Sequence, residues 1–194
     1  QGDVNEAFVF AAAANAPVVF FCQNNQWAIS EPTTVQTPIP LYRRASGFGF
    51  PGVRVDGNDV LAVRAVTEWA LERARSGAGP VLIEAFTYRM GAHTTSDDPT
   101  KYRSADEVAE WKAKDPIDRL RTYLLAKGLI DDAWLAGVTA EGATQAERLR
   151  TGCAQLAEPD LADSFDLVYT NTPAHLHAQR EQFEAYEASF EVNA

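Results

Sequence analysis

Apolar residues are concentrated in two short runs, and each run predicts a strand. The first covers residues 16–22 and the second covers residues 81–86, and both are rich in β-branched or aromatic side chains. Apolar runs of this length are typical of strands that are covered on both faces, as in parallel sheets. A shorter apolar segment at residues 53–55 predicts a third strand. We therefore expect two buried strands and a short one.

Helical patterns separate these strands. An alanine-rich run near the start of the chain follows Asp3 and Glu6, whose spacing fits a capping box. A second stretch has apolar residues three or four positions apart, and Asp59 is placed to cap a helix that runs to about Ser76. The order helix, strand, strand, helix, strand predicts an α/β fold in which helices flank a parallel sheet.

The pattern changes after the last predicted strand. Residues 32–40, with three prolines, and residues 88–103, which are polar, both predict loops. From residue 104 onward the sequence is mainly helical, so we expect an α/β part over 1–103 and a helical region of the same domain over 104–194. The predicted elements of that region are helices that begin at Ser104 and Pro116, a helix over 131–157 interrupted at Gly137 and Gly142, a short strand over 165–169 and a helix over 176–190.

Composition excludes several classes of function. The 194-residue chain has a formal net charge of −10, which argues against nucleic acid and anionic membrane surfaces as partners. No apolar run approaches the roughly 20 residues that a membrane helix needs. The two cysteines are far apart, and Cys22 fits a buried strand as a small apolar residue, which favours a reducing, cytoplasmic location. Gln1 in place of an initiator Met suggests a fragment or a processed chain.

Two asparagines follow the first apolar run directly. Asn24 and Asn25 would stand at the carboxyl end of a strand, where ligands bind in open α/β sheets. An amide oxygen there suits Mg²⁺, which takes oxygen ligands and often shares them with phosphates. The alternative is a simple turn, because Asn tolerates left-handed backbone and bonds to its own main chain. The pair alone leaves both interpretations open.

The loop over residues 88–103 directly follows the strand predicted at 81–86. It carries His93 together with arginine and aspartate residues. Loops at strand ends often hold functional groups, and an imidazole with a pKa near neutrality can donate or shuttle protons. The alternative interpretation is a solvated imidazole in a charged surface loop.

Taken together, these two motifs resemble a known family. Residues 1–30 are similar to the second half of the thiamine-diphosphate motif, which opens with Gly-Asp-Gly and closes with Asn-Asn, and the loop over 88–103 resembles the active-site loop of the same enzymes. The closer resemblance is to the alpha subunit of the decarboxylating component of 2-oxo-acid dehydrogenase complexes, of the pyruvate or branched-chain class. It implies the C-terminal part of a pyrophosphate-type thiamine-diphosphate-binding domain with a helical C-terminal extension.

The resemblance also implies roles for individual residues. Mg²⁺ would be bound by the Asn25 side chain and the Trp27 main-chain oxygen. His93 would reach the pyrophosphate end of the cofactor and support catalysis of acyl transfer. The further cofactor-binding positions are Gln23, Ala28 and Ile29, and the residues expected to order the loop are Arg89, Asp97, Tyr102 and Arg103.

The implied reaction is oxidative decarboxylation of a 2-oxo acid with reductive acylation of lipoyl-lysine. The implied partners are a beta subunit, in an α₂β₂ heterotetramer, and the lipoyl domain of the acyltransferase component. One alternative is an inactive structural fragment, since Gly-Asp-Gly does not occur in this sequence. Another is a different thiamine enzyme, of the acetoin dehydrogenase or transketolase type.

Overall fold

The computed structural model describes residues 2–160 and 163–191, which form two compact units divided after Asp131. The first unit contains the sheets, and the second is helical. No helix of the described residues is both long and apolar enough to cross a membrane. The functional division predicted at residue 103 stays a prediction.

A three-stranded parallel sheet forms the centre of the first unit. Its strands are β1 (Val19–Asn24), β4 (Gly52–Asp56) and β5 (Val81–Phe86), in the order β1-β5-β4. Phe86 at the end of β5 is level with Asn24 on one side and Asp56 on the other. The carboxyl ends of all three strands therefore lie at one edge, and the predicted parallel α/β architecture is confirmed.

The two faces of the sheet are covered by two apolar clusters. One cluster joins Ile83 to Ala70 of helix α4 (Val60–Arg75), and the other joins Leu82 to Phe8 of helix α1 (Gly2–Ala13). Phe8 makes edge-on contacts with three other phenylalanine rings, at centroid distances of 4.8 to 5.5 Å. Burial from both faces explains why β5 has an apolar sequence without polar alternation.

The remaining elements are short or lie outside the sheet. In the first unit they are β2 (Trp27–Ala28), β3 (Glu31–Pro32), α2 (Thr33–Gln36), a 3-10 turn (Leu41–Arg43), α3 (Arg44–Gly47), a second 3-10 turn (Pro99–Lys101), α5 (Ala105–Lys112) and α6 (Pro116–Ala126). Strands β2 and β3 pair antiparallel as a small hairpin. In the second unit they are α7 (Asp132–Ala154), α8 (Asp163–Asp166) and α9 (Ala174–Glu191).

Predicted helix signals are confirmed at several positions. The Asp59 carboxylate accepts hydrogen bonds from the main-chain N–H groups of Leu61 and Ala62, each at 3.0 Å. Ser104 caps α5 through the Glu107 amide at 3.2 Å. Pro116 begins α6 as predicted, and the structure also shows a C-terminal signal, since Gly128 follows the end of that helix with a positive φ of 65°. These contacts satisfy terminal backbone groups that would otherwise lack partners.

The first strand differs from its prediction. It begins at Val19 rather than residue 16, it ends at Asn24, and it is not buried throughout, since Phe21 is 48% exposed. Within the described residues β1 has one neighbouring strand, β5. Phe20 and Cys22 pack against the Phe8 cluster, whereas Phe21 points to the other face, where β1 is only partly covered. Apolar composition alone does not distinguish an edge strand from a central one.

Three other predictions were wrong. Residues 32–40 include helix α2, whose four residues are compatible with prolines on either side. Helix α7 continues through Gly137 and Gly142, because a glycine in a helix interior lowers stability by about 1 kcal/mol without breaking the hydrogen bonds. Residues 163–166 form helix α8 where a strand was expected over 165–169, and Phe165 packs against Phe183 of α9.

Candidate functional site

The end of β1 is joined to the start of the polar loop that follows β5. The Thr87 main-chain N–H donates to the Asn24 main-chain oxygen at 2.9 Å, and the Arg89 N–H donates to that of Asn25 at 3.1 Å. Main-chain hydrogen bonds therefore continue to join the two segments beyond the ends of β1 and β5. As a result, the two motifs found in the sequence lie side by side at the carboxyl edge of the sheet.

Asn24 is the buried member of the asparagine pair, with an exposure of 7%. Its Nδ2 donates to the Glu84 carboxylate at 2.7 Å. Its Oδ1 accepts from the Gln26 main-chain N–H at 3.0 Å and from the Thr33 hydroxyl at 3.2 Å. Every polar atom of this amide has a protein partner, so Asn24 serves to shape the turn.

Asn25 follows with a side chain that is only partly buried. Its Oδ1 accepts from the Trp27 main-chain N–H at 3.1 Å, while Gln26 between them has a left-handed φ of 70°. This is the local turn that the alternative interpretation predicted. The turn is compatible with metal binding, because an amide oxygen has two lone pairs and one hydrogen bond leaves the second available.

A cavity of about 420 Å³ adjoins this turn. Four of the predicted cofactor or metal residues line it, namely Gln23, Asn25, Trp27 and Ala28. Ile29 and His93 are not part of this lining. Ile29 has a φ of 55°, an unusual conformation for a β-branched residue, and its side chain is exposed. Its main-chain oxygen accepts from Arg89 at 2.6 Å, which attaches the turn to the loop.

Three side chains of the loop form one connected network. Tyr102 donates its hydroxyl proton to the Asp97 carboxylate at 2.6 Å and accepts from the Arg89 guanidinium at 3.1 Å. The same Asp97 oxygen accepts from the His93 main-chain N–H at 2.8 Å. The His93 backbone is thereby fixed, and its exposed imidazole is carried at the bend of the loop.

Arg103, the last residue of the loop, is hydrogen-bonded to residues near its start. Its guanidinium donates to the main-chain oxygens of Arg89, Met90 and Gly91, the last two at 2.6 and 3.0 Å. Arg103 is itself largely buried and lies over the ring of Tyr88 at 5.5 Å. The structure therefore brings together all four residues that the resemblance assigned to loop ordering.

The network also affects the acidity of its members. The hydrogen bonds from the Tyr102 hydroxyl and the His93 main-chain N–H lower the pKa of Asp97. Desolvation and the Asp97 carboxylate raise the pKa of Tyr102. Asp97 is thus ionised, and Tyr102 protonated, throughout the neutral range, which matches the direction of the hydrogen bond between them.

The start of the loop is held by aromatic packing. Tyr88 is buried and stacks on Trp111 of α5 at 5.2 Å, with the ring planes only 5° apart. Phe86 contacts the same indole edge-on at 5.8 Å. Helix α5 therefore serves as the platform for the first residues of the loop.

Glu84 is the residue that sequence reasoning missed. It is fully buried in the central strand, where its carboxylate contacts Asn24, the Tyr42 main-chain N–H at 3.0 Å and, at 3.8 Å, Arg54. The sequence did contain a signal, because a lone acid in an otherwise apolar strand is rarely buried without partners. Its partners were not predictable, since they come from β1, β4 and the turn at Leu41–Arg43.

The donor atoms restrict which metal this edge could bind. No group of three or more His, Cys, Asp or Glu side chains that could hold a metal ion occurs among residues 2–160 and 163–191. Asn25 and Trp27 offer an amide and a main-chain oxygen, which suit a hard cation that takes its remaining ligands from phosphate. The residues present therefore fit a Mg²⁺-bound pyrophosphate better than a soft metal.

Comparison with known proteins gives a consistent result. A family model described as "Dehydrogenase E1 component" matches residues 1–147. The chain is 50% identical over 186 residues to the 3-methyl-2-oxobutanoate dehydrogenase subunit alpha of Mycobacterium tuberculosis, covering 95% of this chain and 51% of that protein. It is 42% identical over 188 residues to the pyruvate dehydrogenase E1 component subunit alpha of Staphylococcus epidermidis, covering 96% and 50%.

A shorter match has similar identity. The pyruvate dehydrogenase E1 component subunit alpha of Acholeplasma laidlawii is 52% identical over 130 residues, which cover 66% of this chain and 38% of that protein. The chain spans about half the length of the first two relatives. The family model covers the whole of the first unit, including both motifs, and the chain therefore belongs to the dehydrogenase E1 component family.

Proposed function

We propose that the protein acts as the alpha subunit of a thiamine-diphosphate-dependent 2-oxo-acid dehydrogenase. Its reaction would be oxidative decarboxylation of a 2-oxo acid followed by reductive acylation of lipoyl-lysine. The observation that carries this proposal is the physical joining of the 24–27 turn to the 88–103 loop at one strand edge. Family membership and the names of the alpha-subunit relatives support it.

The cofactor would be thiamine diphosphate with Mg²⁺. Asn25 would provide a side-chain oxygen and Trp27 a main-chain oxygen to the metal, while Gln23, Ala28 and Ile29 would form the surrounding surface. When bound, thiamine diphosphate supplies the electron sink that decarboxylation requires. The part of this chain would be to bind Mg²⁺ through oxygen ligands at a rigid strand end and, through that metal, to hold the diphosphate in place.

His93 would act on the cofactor from the loop that follows β5. The His93 main-chain N–H is held by the Asp97 carboxylate, so the position of its Cα is fixed. The imidazole itself stays exposed. A group placed in this way can donate a hydrogen bond to phosphate and transfer a proton during acyl transfer. Arg89, Asp97, Tyr102 and Arg103 would keep the loop in the conformation that permits this.

The proposed partners are a beta subunit, in an α₂β₂ heterotetramer, and the lipoyl domain of an acyltransferase component. The substrate would be pyruvate or a branched-chain 2-oxo acid, since relatives named for both kinds of enzyme match at comparable identity.

The test is a reconstitution of the full-length protein with its beta subunit. Carbon dioxide release is measured from labelled pyruvate and labelled 3-methyl-2-oxobutanoate, with a lipoyl domain as acyl acceptor. We expect release and lipoyl acylation that depend on both thiamine diphosphate and Mg²⁺, with a preference for one substrate. If neither substrate gave cofactor-dependent release of carbon dioxide, the proposed activity would be refuted.

A further inference from the structure

Glu84 is a charged group at the centre of the sheet that the proposed chemistry does not use directly. It belongs to β5 and is level with Cys22 of β1 and Arg54 of β4. The residue is 0% exposed. A buried carboxylate is costly unless it is paired and hydrogen-bonded, so its retention needs a specific explanation.

The contacts of Glu84 divide between its two oxygens. Oε1 accepts from Asn24 Nδ2 at 2.7 Å, and Oε2 accepts from the Tyr42 main-chain N–H at 3.0 Å. The Arg54 guanidinium lies 3.8 Å from Oε1 and stacks over the Phe86 ring at 3.5 Å. The carboxylate thus receives donors from three separate segments of the chain.

The bond to Asn24 determines which way its amide faces. A carboxylate can only accept, so it requires the Nδ2 side of Asn24. The Oδ1 side is then directed to the Gln26 main-chain N–H and the Thr33 hydroxyl. If the Asn24 amide were reversed, its NH₂ group would face the Gln26 N–H. The NH₂ group and the Gln26 N–H would then both be donors, and neither would have an acceptor in the other.

The Gln26 main-chain N–H connects the orientation of the Asn24 amide to the candidate site. Gln26 has a left-handed φ of 70° and lies between Asn25 and Trp27, the two proposed metal ligands. Its side chain is also held at the end of β5, through Nε2 to the Thr87 main-chain oxygen at 2.7 Å. A strained residue keeps such a conformation only where its surroundings hold it.

We infer that Glu84 is a positioning residue for the proposed cofactor site, acting through the Asn24 amide to fix the turn that presents Asn25 and Trp27. This inference rests on the proposed function for its metal, but its structural part concerns the turn alone. Groups that orient ligands from behind typically change metal affinity by about 10- to 100-fold when they are removed.

A reciprocal pair of substitutions tests the orientation. Glu84→Gln keeps the shape but presents an NH₂ group either to Asn24 or to the Tyr42 N–H, so one contact must fail. Adding Asn24→Asp reverses the polarity of the pair. The new carboxylate at position 24 accepts from the new amide at position 84 and still accepts from Gln26 and Thr33, which leaves the amide oxygen at position 84 for Tyr42. The double variant also keeps the net charge.

Mn²⁺ affinity is the first readout, measured by electron paramagnetic resonance at saturating thiamine diphosphate in the full-length protein with its beta subunit. We expect Glu84→Gln to raise the Mn²⁺ Kd about tenfold or more and the double variant to restore most of the loss. Arg54→Gln is the matched control, since it removes the ion pair and leaves both Glu84 hydrogen bonds. Equal weakening by Arg54→Gln, or no rescue in the double variant, would overturn the inference.

Hydrogen exchange without metal or cofactor is the second readout. Peptides that contain Gln26 should exchange faster in Glu84→Gln and recover in the double variant. Unchanged exchange in the Glu84→Gln variant would overturn the positioning role. If the unsubstituted assembly failed to bind Mn²⁺, the proposed function would fall, while the exchange result would still decide whether Glu84 fixes the turn.

Discussion

At the scale of single residues, the phenolic hydroxyl of Tyr102 connects two of the charged side chains of the loop, Asp97 and Arg89. It donates to Asp97 and accepts from Arg89, and Asp97 in turn fixes the His93 main chain. Tyr102→Phe should therefore release the loop while leaving the sheet intact. Cleavage by trypsin after Lys101 is the measurement, and we expect it to accelerate several-fold. Tyr123→Phe, on helix α6, is the control; equal cleavage of the Tyr102→Phe variant and the unsubstituted protein would contradict the role of the hydroxyl.

The same network predicts its own dependence on pH. A carboxyl group whose pKa is lowered by folding contributes stability above its unfolded pKa of about 3.9 and loses it as the pH falls through the folded value. Asp97 is such a group. Loop protection, corrected for the activity of trypsin, should therefore be constant between about pH 6 and pH 8. Opening of the loop within that interval would show that another group controls it.

His93 provides a second prediction at this scale. Its main chain is held, and its imidazole is exposed at the bend of the loop. In the reconstituted assembly, His93→Ala should slow acylation of a lipoyl domain by about 10²- to 10⁴-fold, the usual cost of losing a positioned acid or base. Cofactor affinity should fall much less. His175→Ala, on helix α9, is the control, and acylation at the unsubstituted rate would make His93 a spectator.

At the scale of elements, local patterns predicted what depends on neighbours in sequence. The central strand, the caps at Asp59 and Ser104 and the irregular loop after β5 all follow from short-range chemistry. The partial exposure of β1 and the partners of Glu84 depend on which strands become neighbours. The hydrogen bond from Asn24 to Glu84, for example, joins residues 60 positions apart, and no local periodicity in the sequence records it.

Strand β4 packs closely against the segment that contains Tyr42 and Ala45, and Gly52 at the start of the strand is the point of contact. A Cβ at the start of β4 would lie 1.9 Å from the Tyr42 main-chain oxygen and 3.0 Å from Ala45 Cβ. Because backbone cannot move aside easily, Gly52→Ala should lower the free energy of unfolding by about 3 kcal/mol. Gly47→Ala is the matched control, since no heavy atom lies within 4 Å of its Cβ position. Equal denaturant midpoints for the two variants would contradict this packing.

At the scale of the whole molecule, the chain contains one side of the proposed site. It carries the loop and the two residues proposed as oxygen ligands, Asn25 and Trp27, while it spans about half the length of the relatives it matches. We therefore expect the 194-residue chain alone to release no carbon dioxide from a 2-oxo acid above the blank, even with thiamine diphosphate and Mg²⁺. Cofactor-dependent release by the purified chain would refute the division of roles between alpha and beta subunits.

The central claim is that the turn at the end of β1 holds the metal-bound diphosphate of the cofactor. Its most direct test is calorimetric titration of thiamine diphosphate into the full-length protein with its beta subunit, with and without Mg²⁺. Asn25→Ala should raise the Mg²⁺-dependent Kd by about tenfold or more. Gln36→Ala, which alters the same cavity without removing a proposed ligand, should leave the Kd nearly unchanged. A Kd for Asn25→Ala equal to that of the unsubstituted assembly would contradict the claim.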